Sequence, residues 1–360
     1  MTCVAQRQGW SSAPFLVSYL EDVLRRLIVK FSILLVVLAG ALTVHVPAFA
    51  QASALPASPL GVRNVSPVVQ LYGIPRMTGA RVAKADWDVS FNVEIGNNFQ
   101  SERGDTAIAF FDGETYVNSF RARRGFANHW EWGVEIPWVV HAPGSLDGLI
   151  DEFHELFGLP DAGRSSAPRG RLDYFVADNE MIYADFDNSR RGLGDARAYV
   201  GWSLIDQPGT AFVVRSMIKL PTGKVDKLTG SEAMDIALWG EYERHFRVAG
   251  KRLRLSLGGG VARLGEGNMM PEQQEDWVHF GHLGVQIPIH PRVELHAQLD
   301  AHSRVLDTGN PVLADGGLLG TLGGRVGVTQ RLWLDLAVIE DLAAESASDV
   351  VFQILLGMHL

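Results

Sequence analysis

A single cysteine, Cys3, is all the thiol this chain of 360 residues offers, and it precedes the export segment described below. The exported protein therefore has no disulfide, no cysteine-ligated metal and no thiol nucleophile. Long apolar runs are also lacking. The uncharged stretch at 31–44 has 14 residues, short of the roughly 20 that a spanning helix needs. Nor is there a cationic surplus. The chain carries 32 Lys+Arg against 41 Asp+Glu, and leaving out Arg7, Arg25, Arg26, Lys30, Glu21 and Asp22 gives residues 51–360 a net charge of −11, which argues against a nucleic-acid partner. No Pro/Ser-rich linker and no shift in composition divides the chain after residue 80, so one large unit is expected. Catalytic signatures are missing too. "DEFHELF" has one His and no second at i+4, so it is no zinc-protease helix. Gly258, Gly259 and Gly260 follow a strand with no phosphate-cradling pattern and mark a bend instead. No metal and no cofactor is expected.

The N-terminus reads as an export signal. Arg25, Arg26 and Lys30 precede the apolar run, and Ala48-Phe49-Ala50 stands before Gln51, the order of a cleaved signal peptide. In "LAGA", at 38–41, alanine stands where a lipoprotein signal needs cysteine, so no acylation is expected. The organisation that follows is an N-terminal extension at 1–22, consistent with a mis-called start near Val23, a signal peptide at 23–50, a periplasmic segment at 51–84 and a barrel at 85–360.

From residue 85 onward the dominant signal is strict alternation. "DWDVSFNVEI" sets Trp87, Val89, Phe91, Val93 and Ile95 against Asp86, Asp88, Ser90, Asn92 and Glu94. "VELHAQLDAH" does the same with Val293, Leu295, Ala297, Leu299 and Ala301 against Glu294, His296, Gln298, Asp300 and His302. One oily and one wet face over about ten residues is the length and pattern of a strand crossing a bilayer at a tilt. Twelve such segments occur, at 85–96, 106–124, 129–138, 196–205, 210–220, 233–246, 252–262, 277–288, 293–302, 318–328, 332–340 and 349–360, the second bending at Asp112-Gly113. Short links alternate with long polar ones throughout. That asymmetry predicts an all-β fold, an antiparallel transmembrane barrel of about 12 strands with short periplasmic turns, long extracellular loops and both termini inside. The last strand places Phe352, Ile354, Leu356 and Met358 on one face, as expected for a terminal strand read by the barrel-assembly machinery. Trp130, Trp132, Trp138, Trp202, Trp239 and Trp277 lie towards strand ends, as an interfacial girdle requires.

Several runs carry a family resemblance: "DGETYVNSFRARRGF", "EIPWVVHAPGSLDGLIDEFHELFGLPDAGRSSAPRGRL", "GLGDARAYVG", "KLPTGKVDKLTGSEAMDIALW", "DWVHFG", "QLDAHS" and "LAVIEDLAAESASDVVF". Over about residues 70–360 the chain resembles the outer-membrane family catalogued as domain of unknown function 3187. "GLGD" and "KLPTG" are similar, more loosely, to barrels linked to uptake of aromatic compounds. The closer resemblance implies fold and outer-membrane location, and no characterised activity.

The wet faces are the candidate functional surface. A charge facing hydrocarbon costs about 2–4 kcal/mol at the midplane, so Asp88, Glu94, Glu131, Glu135, Arg197, Arg215, Lys219, Asp235, Glu294, His296, Gln298, Asp300, His302 and Asp335 are expected to point inward, to line a pathway or simply to pair and fill. The 57-residue connection 139–195 holds one helical pattern. Leu146, Leu149, Ile150, Phe153, Leu156 and Phe157 form its apolar stripe. Its acidic face disfavours an anionic outer leaflet, so the helix is expected at the barrel mouth as a plug or lid, tethered by Arg164, Arg169 and Arg171 to acids such as Glu131 and Glu135. Three function classes follow. The first, preferred, is a channel or gated transporter for a small solute; the others are a lipid-modifying enzyme barrel and a structural or assembly barrel. An enzyme needs Ser or Thr beside His. Ser303 adjoins His302 and points to the opposite face, and His279 and His282 lack a serine in their own strand; cross-strand pairs stay open. The expected surroundings are outer-membrane lipid and lipopolysaccharide.

Overall fold

The computed structural model describes residues 58–79, 84–104, 106–144, 170–248, 250–342 and 346–360. The strands, numbered in chain order, are β1 (Trp87–Arg103), β2 (Ala107–Ala127), β3 (Trp130–Ala142), β4 (Asp173–Asp178), β5 (Ile182–Phe186), β6 (Arg190–Leu193), β7 (Arg197–Gln207), β8 (Thr210–Lys219), β9 (Asp235–Val248), β10 (Lys251–Arg263), β11 (Trp277–His290), β12 (Val293–His302), β13 (Gly317–Gly327), β14 (Leu332–Asp341) and β15 (Val350–His359). Twelve of them close a ring. β1 pairs with β2, β2 with β3, β3 with β7, and each later strand with the next up to β15, which pairs antiparallel with β1 from Asn97↔Val350 to Asp88↔His359. Every segment of the expected twelve corresponds to one of these strands. β4, β5 and β6 belong to the long connection instead. β2 leaves β3 at Glu114 and pairs beyond it with β4, from Asp112 to Ala107; the change of partner falls at Gly113 (φ +151°), where the sequence places a bend.

Closure has a physical cause in the pattern itself. Alternating residues cannot all be buried in a flat sheet, and a ring leaves no unpaired edge in lipid. The outward rows carry Phe91, Ile136, Val200, Leu238, Leu257, Leu283, Ile354 and Leu356, all more than a third exposed. Trp130, Trp138, Trp202 and Trp277 share that surface, with Trp130 stacked on Trp202 at 5.7 Å. Trp239 does not. It shares the parity of Asp235, faces inward at 3% exposure and donates its indole N–H to Glu241 Oε1 at 2.8 Å, so it is no part of a girdle. On β12 the outward row is exposed at Leu299 and Ala301 and covered at Val293 and Leu295.

The core of the molecule is the lumen, and the chain's own N-terminal segment fills it. Residues 59–79 are buried throughout. The expectation of a periplasmic segment at 51–84 is therefore corrected over 58–79, which lie inside the barrel. Ser58 meets Arg325 near the turn end, Leu60 meets Gln298, and Asn64 Nδ2 reaches His302 Nε2 at 3.0 Å and the Ser346 carbonyl at 3.2 Å. A 3₁₀ turn, Val69–Leu71, reverses the path at the long-loop end. The chain then descends until the Thr78 and Gly79 amides donate to Glu241 Oε2 at 2.8 and 2.5 Å. A Cβ at Gly79 would stand 2.8 Å from Ser58 Cα, so the two legs come back together. The segment lacks a period of two or of 3.6, and its backbone is satisfied partly by short turns of its own and partly by side chains at Leu60, Gly61, Leu71, Thr78 and Gly79.

Above the ring, apolar residues of the long connections join this segment in one cluster. It includes Leu71, Tyr72 and Ile74 together with Phe111, Tyr174, Phe186, Leu228, Met269, Met270, Leu306 and Leu313. The last of these belongs to the one-turn helix α1 (Pro311–Ala314), capped by the Asn310 side chain. The amphipathic pattern 146–157 lies outside the described residues, as do Arg164 and Arg169.

Candidate functional site

The inward parity that the sequence assigns to charged residues brings them against the segment 58–79. Arg76 is the central cross-tie. Its Nη1 donates to Glu94 Oε1 at 2.5 Å and to the Gly61 carbonyl at 2.8 Å, its Nη2 also binds Glu94, and its Nε lies 3.5 Å from Glu135 Oε1. Glu135 further meets Arg197 at 3.6 Å and Arg63 at 3.9 Å. Lower on the same wall, Glu131 accepts from Arg123 at 3.1 Å and from Arg215 Nε at 2.7 Å, while Arg215 reaches Glu241 at 2.6 Å and the Gly79 carbonyl at 2.7 Å. At the long-loop end Lys219 sits between Asp195 (2.7 Å) and Asp235 (3.1 Å) and donates to the Leu71 carbonyl at 2.8 Å. Buried charge costs several kcal/mol per ion unless paired and hydrogen-bonded. Here each cation named is shared between wall and segment.

The opposite wall repeats the scheme with fewer ions. Arg325 forms a bidentate pair with Asp335, both contacts at 2.7 Å, and also donates to Ser58 Oγ at 2.7 Å. Arg254 lies 3.2 Å from Glu294, and His296 Nε2 is 3.0 Å from the same carboxyl oxygen. Ser256, His282 and Asp300 form a hydrogen-bonded row on β10, β11 and β12. Beside Arg76, Glu135, Arg197 and Trp239 the remaining space is about 20 Å³, room for about one water.

Of the fourteen inward residues named from sequence, twelve are buried; Asp88, hydrogen-bonded to His359 at the turn end, and Asp300 are partly exposed. Arg171 does not reach Glu131 or Glu135. It pairs with Asp173, approaches Asp112 at 4.0 Å and stacks on Phe110 outside the ring; the two glutamates are already held by lumen arginines, and β4 fixes Arg171 beyond the strands. Sequence reading passed over Arg63 and Arg76, which sit in the unpatterned segment, and over Ser256; it weighed His282 and found no serine for it within its own strand. It also passed over Arg123 and Glu241, although strand parity alone places both inward. Outside the twelve ring strands, two carboxyls are held below their usual range. Glu232 accepts from Asn268 at 2.9 Å and from Lys224 at 2.6 Å. Burial works against ionisation of Asp178, and hydrogen bonds from Tyr183 and the backbone of Glu180 and Met181 outweigh it.

Residues 34–359 match the family described as Protein of unknown function (DUF3187). The chain belongs to this family. No curated protein matches this DUF3187 chain. Among solved structures, the COG4313 outer membrane channel from Pseudomonas putida F1 is similar at 10% identity and TM-score 0.50, covering 78% of this chain and 97% of that one. The KdgM porin is similar at 5% identity and TM-score 0.40, over 75% and 98% of the two chains. The first likeness shows a shared fold, that of an outer-membrane β-barrel.

Proposed function

We propose that this protein is an outer-membrane channel for a small polar solute, closed at rest by residues 58–79. The observation that carries the reading is the segment itself. A barrel whose only task is structural needs a filled interior, but a rigid domain would serve. Here the filling is a single re-entrant strip of chain, entering and leaving at the turn end and held by ion pairs and hydrogen bonds instead of by strand pairing. Such a strip can withdraw without breaking the ring. Its departure would leave a lumen lined by Glu94, Glu131, Glu135, Arg197, Arg215 and Lys219, a surface suited to water and polar solutes. Short turns then face the periplasm and long loops the exterior. Residues 146–157, with their apolar stripe, are proposed as a second, outer lid.

Planar-bilayer conductance tests the reading. The intact protein should show rare, brief openings. A variant lacking residues 58–79 that still migrates as a heat-modifiable barrel should conduct several-fold more; an unchanged trace from that folded variant would overturn the channel reading. Deleting 145–158 separately tests the lid.

A further inference from the structure

Three neighbouring strands bring together a serine, a histidine and an aspartate that the sequence keeps apart. Ser256 Oγ lies 2.9 Å from His282 Nε2, and His282 Nδ1 lies 2.9 Å from Asp300 Oδ1. The register explains how. His282 and Asp300 are direct partners across β11 and β12. Ser256 is directly opposite Gly284, so His282 and Gln286 flank it diagonally, one on each side. A Cβ at Gly284 would sit 2.6 Å from Ser256 Oγ and 3.0 Å from His282 Nε2; glycine there lets the imidazole lean across to the hydroxyl. Gln286 Nε2 donates to Ser256 Oγ at 2.9 Å from the other side.

We propose that Ser256, His282 and Asp300 form a hydrolytic site for carboxylic esters inside the barrel. Asp300 accepts from His282 Nδ1–H, which fixes the tautomer and leaves Nε2 as the proton acceptor. Ser256 Oγ bonds to the ester carbonyl carbon while its proton passes to His282 Nε2 and the carbonyl π pair moves onto oxygen. The Gln286 amide N–H is the donor beside that oxygen. Collapse breaks the bond to the alkoxy group, which takes the proton from His282 and leaves as the alcohol. Water then repeats the sequence on the acyl-serine, with His282 as base, and releases the carboxylic acid. A polar ladder that merely fills space requires only that each group be satisfied. It does not require a hydroxyl on Nε2, a carboxylate on Nδ1 and an amide donor beside the hydroxyl in one row.

The N-terminal segment borders this site. Gln298 donates to Asp300 Oδ2 at 3.0 Å and clasps the Leu60 backbone, donating to its carbonyl at 2.8 Å and accepting from its amide at 3.1 Å. Met77 Sδ rests where a side chain at Gly258, the next inward position above Ser256, would begin. Ser256 is 3% and His282 5% exposed, whereas the Asp300 side chain keeps 13%. Movement of Leu60 and Met77 is what admits an ester.

The test is covalent labelling of the full chain in micelles by a biotinylated fluorophosphonate, with the adduct located by mass spectrometry. An adduct on Ser256 is expected in the wild type, rising several-fold in Met77→Ala and Arg76→Ala. Ser256→Ala should abolish it, and His282→Ala or His282→Gln should slow it by at least about 100-fold. Asp300, a positioning residue, should lose about tenfold as Asn and regain part of it as Glu. If no folded protein among the wild type, Met77→Ala and Arg76→Ala gives an adduct on Ser256, or if labelling is indifferent to His282, the proposal falls. The result does not depend on conduction, so it stands or fails apart from the channel.

Discussion

Substituting Arg76 by alanine removes several interactions at one point of the lumen: two contacts to Glu94, one to Glu135 at 3.5 Å and one to the Gly61 carbonyl at 2.8 Å. The last of these ties the descending leg of the N-terminal segment to the ascending one. Glu94 is 0% exposed, so the variant leaves a buried carboxylate with its cation gone. Breaking a buried pair from one side costs about 3–5 kcal/mol, and each 1.4 kcal/mol is a factor of ten. Withdrawal of the segment should therefore become roughly 100-fold to a few thousand-fold more favourable. The ring itself loses no backbone hydrogen bond, because Arg76 belongs to none of its strands. The expected phenotype is thus selective. Arg76→Ala keeps heat-modifiable migration while residues 58–79 become open to protease and channel openings become frequent. Replacing Arg76 and Glu94 together by leucine removes both charges and should restore much of the closure, since an apolar pair of similar volume is often as stable as the ions it replaces. A folded Arg76→Ala protein with unchanged protection and unchanged conductance would refute the argument that paired charge holds the segment.

Lys219→Met should lower the unfolding midpoint by an amount equivalent to about 3–5 kcal/mol, because it strands Asp195 and Asp235 at 2.7 and 3.1 Å from the lost ammonium; adding Asp235→Asn should return part of it. A Cβ at Gly133 would stand 2.3 Å from Tyr199 Cζ, its cross-strand partner, so Gly133→Val should cost about 1–3 kcal/mol, and Tyr199→Ala in the same chain should relieve the clash. Glu232 is held below the usual carboxyl range by Asn268 and then Lys224. Its contribution is present above the ordinary value near 4.5 and disappears as pH falls through the lower folded value, so hydrogen exchange in the 220–234 loop should quicken below about pH 4.5, and Glu232→Gln should flatten that response.

The ring was legible because two independent signals agreed. Period-two rows such as Val89, Phe91, Val93 and Ile95 mark where strands run, and alternating loop lengths mark how they connect; neither depends on distant contacts. The fourteen inward residues follow from parity alone, and parity is a local property of a strand. What the sequence concealed was occupancy. Residues 58–79 form no ladder and no long helix, so no periodicity marks them, and Arg76 reads as an isolated basic residue until Glu94 is seen facing it. Trp239 shows the same limit from another side: distance from a strand end suggested the girdle, while its shared parity with Asp235 already pointed inward. Ser256 and His282 lie 26 positions apart, and only the β10–β11 register, with Gly284 between them, makes them neighbours.

The position of the filling also bears on the proposed closure. A ring of twelve strands encloses more space than inward side chains alone can occupy, and a lumen left wet would ask nothing of buried arginines. Yet Arg76, Arg215 and Lys219 each donate to a backbone carbonyl of the segment, at Gly61, Gly79 and Leu71, as well as to wall or loop carboxylates. Those carbonyls have no strand partner, so the cations hold the segment's shape as much as its place. If the segment left, Arg215 and Lys219 would keep their carboxylates and exchange a carbonyl for water, a small penalty beside losing a pair, whereas Arg76 would leave with it and part from Glu94. The wall thus stays matched at Arg215 and Lys219, and the Arg76–Glu94 pair is the one that departure must break. Both ends of the described segment, Ser58 and Gly79, come together near the turn end.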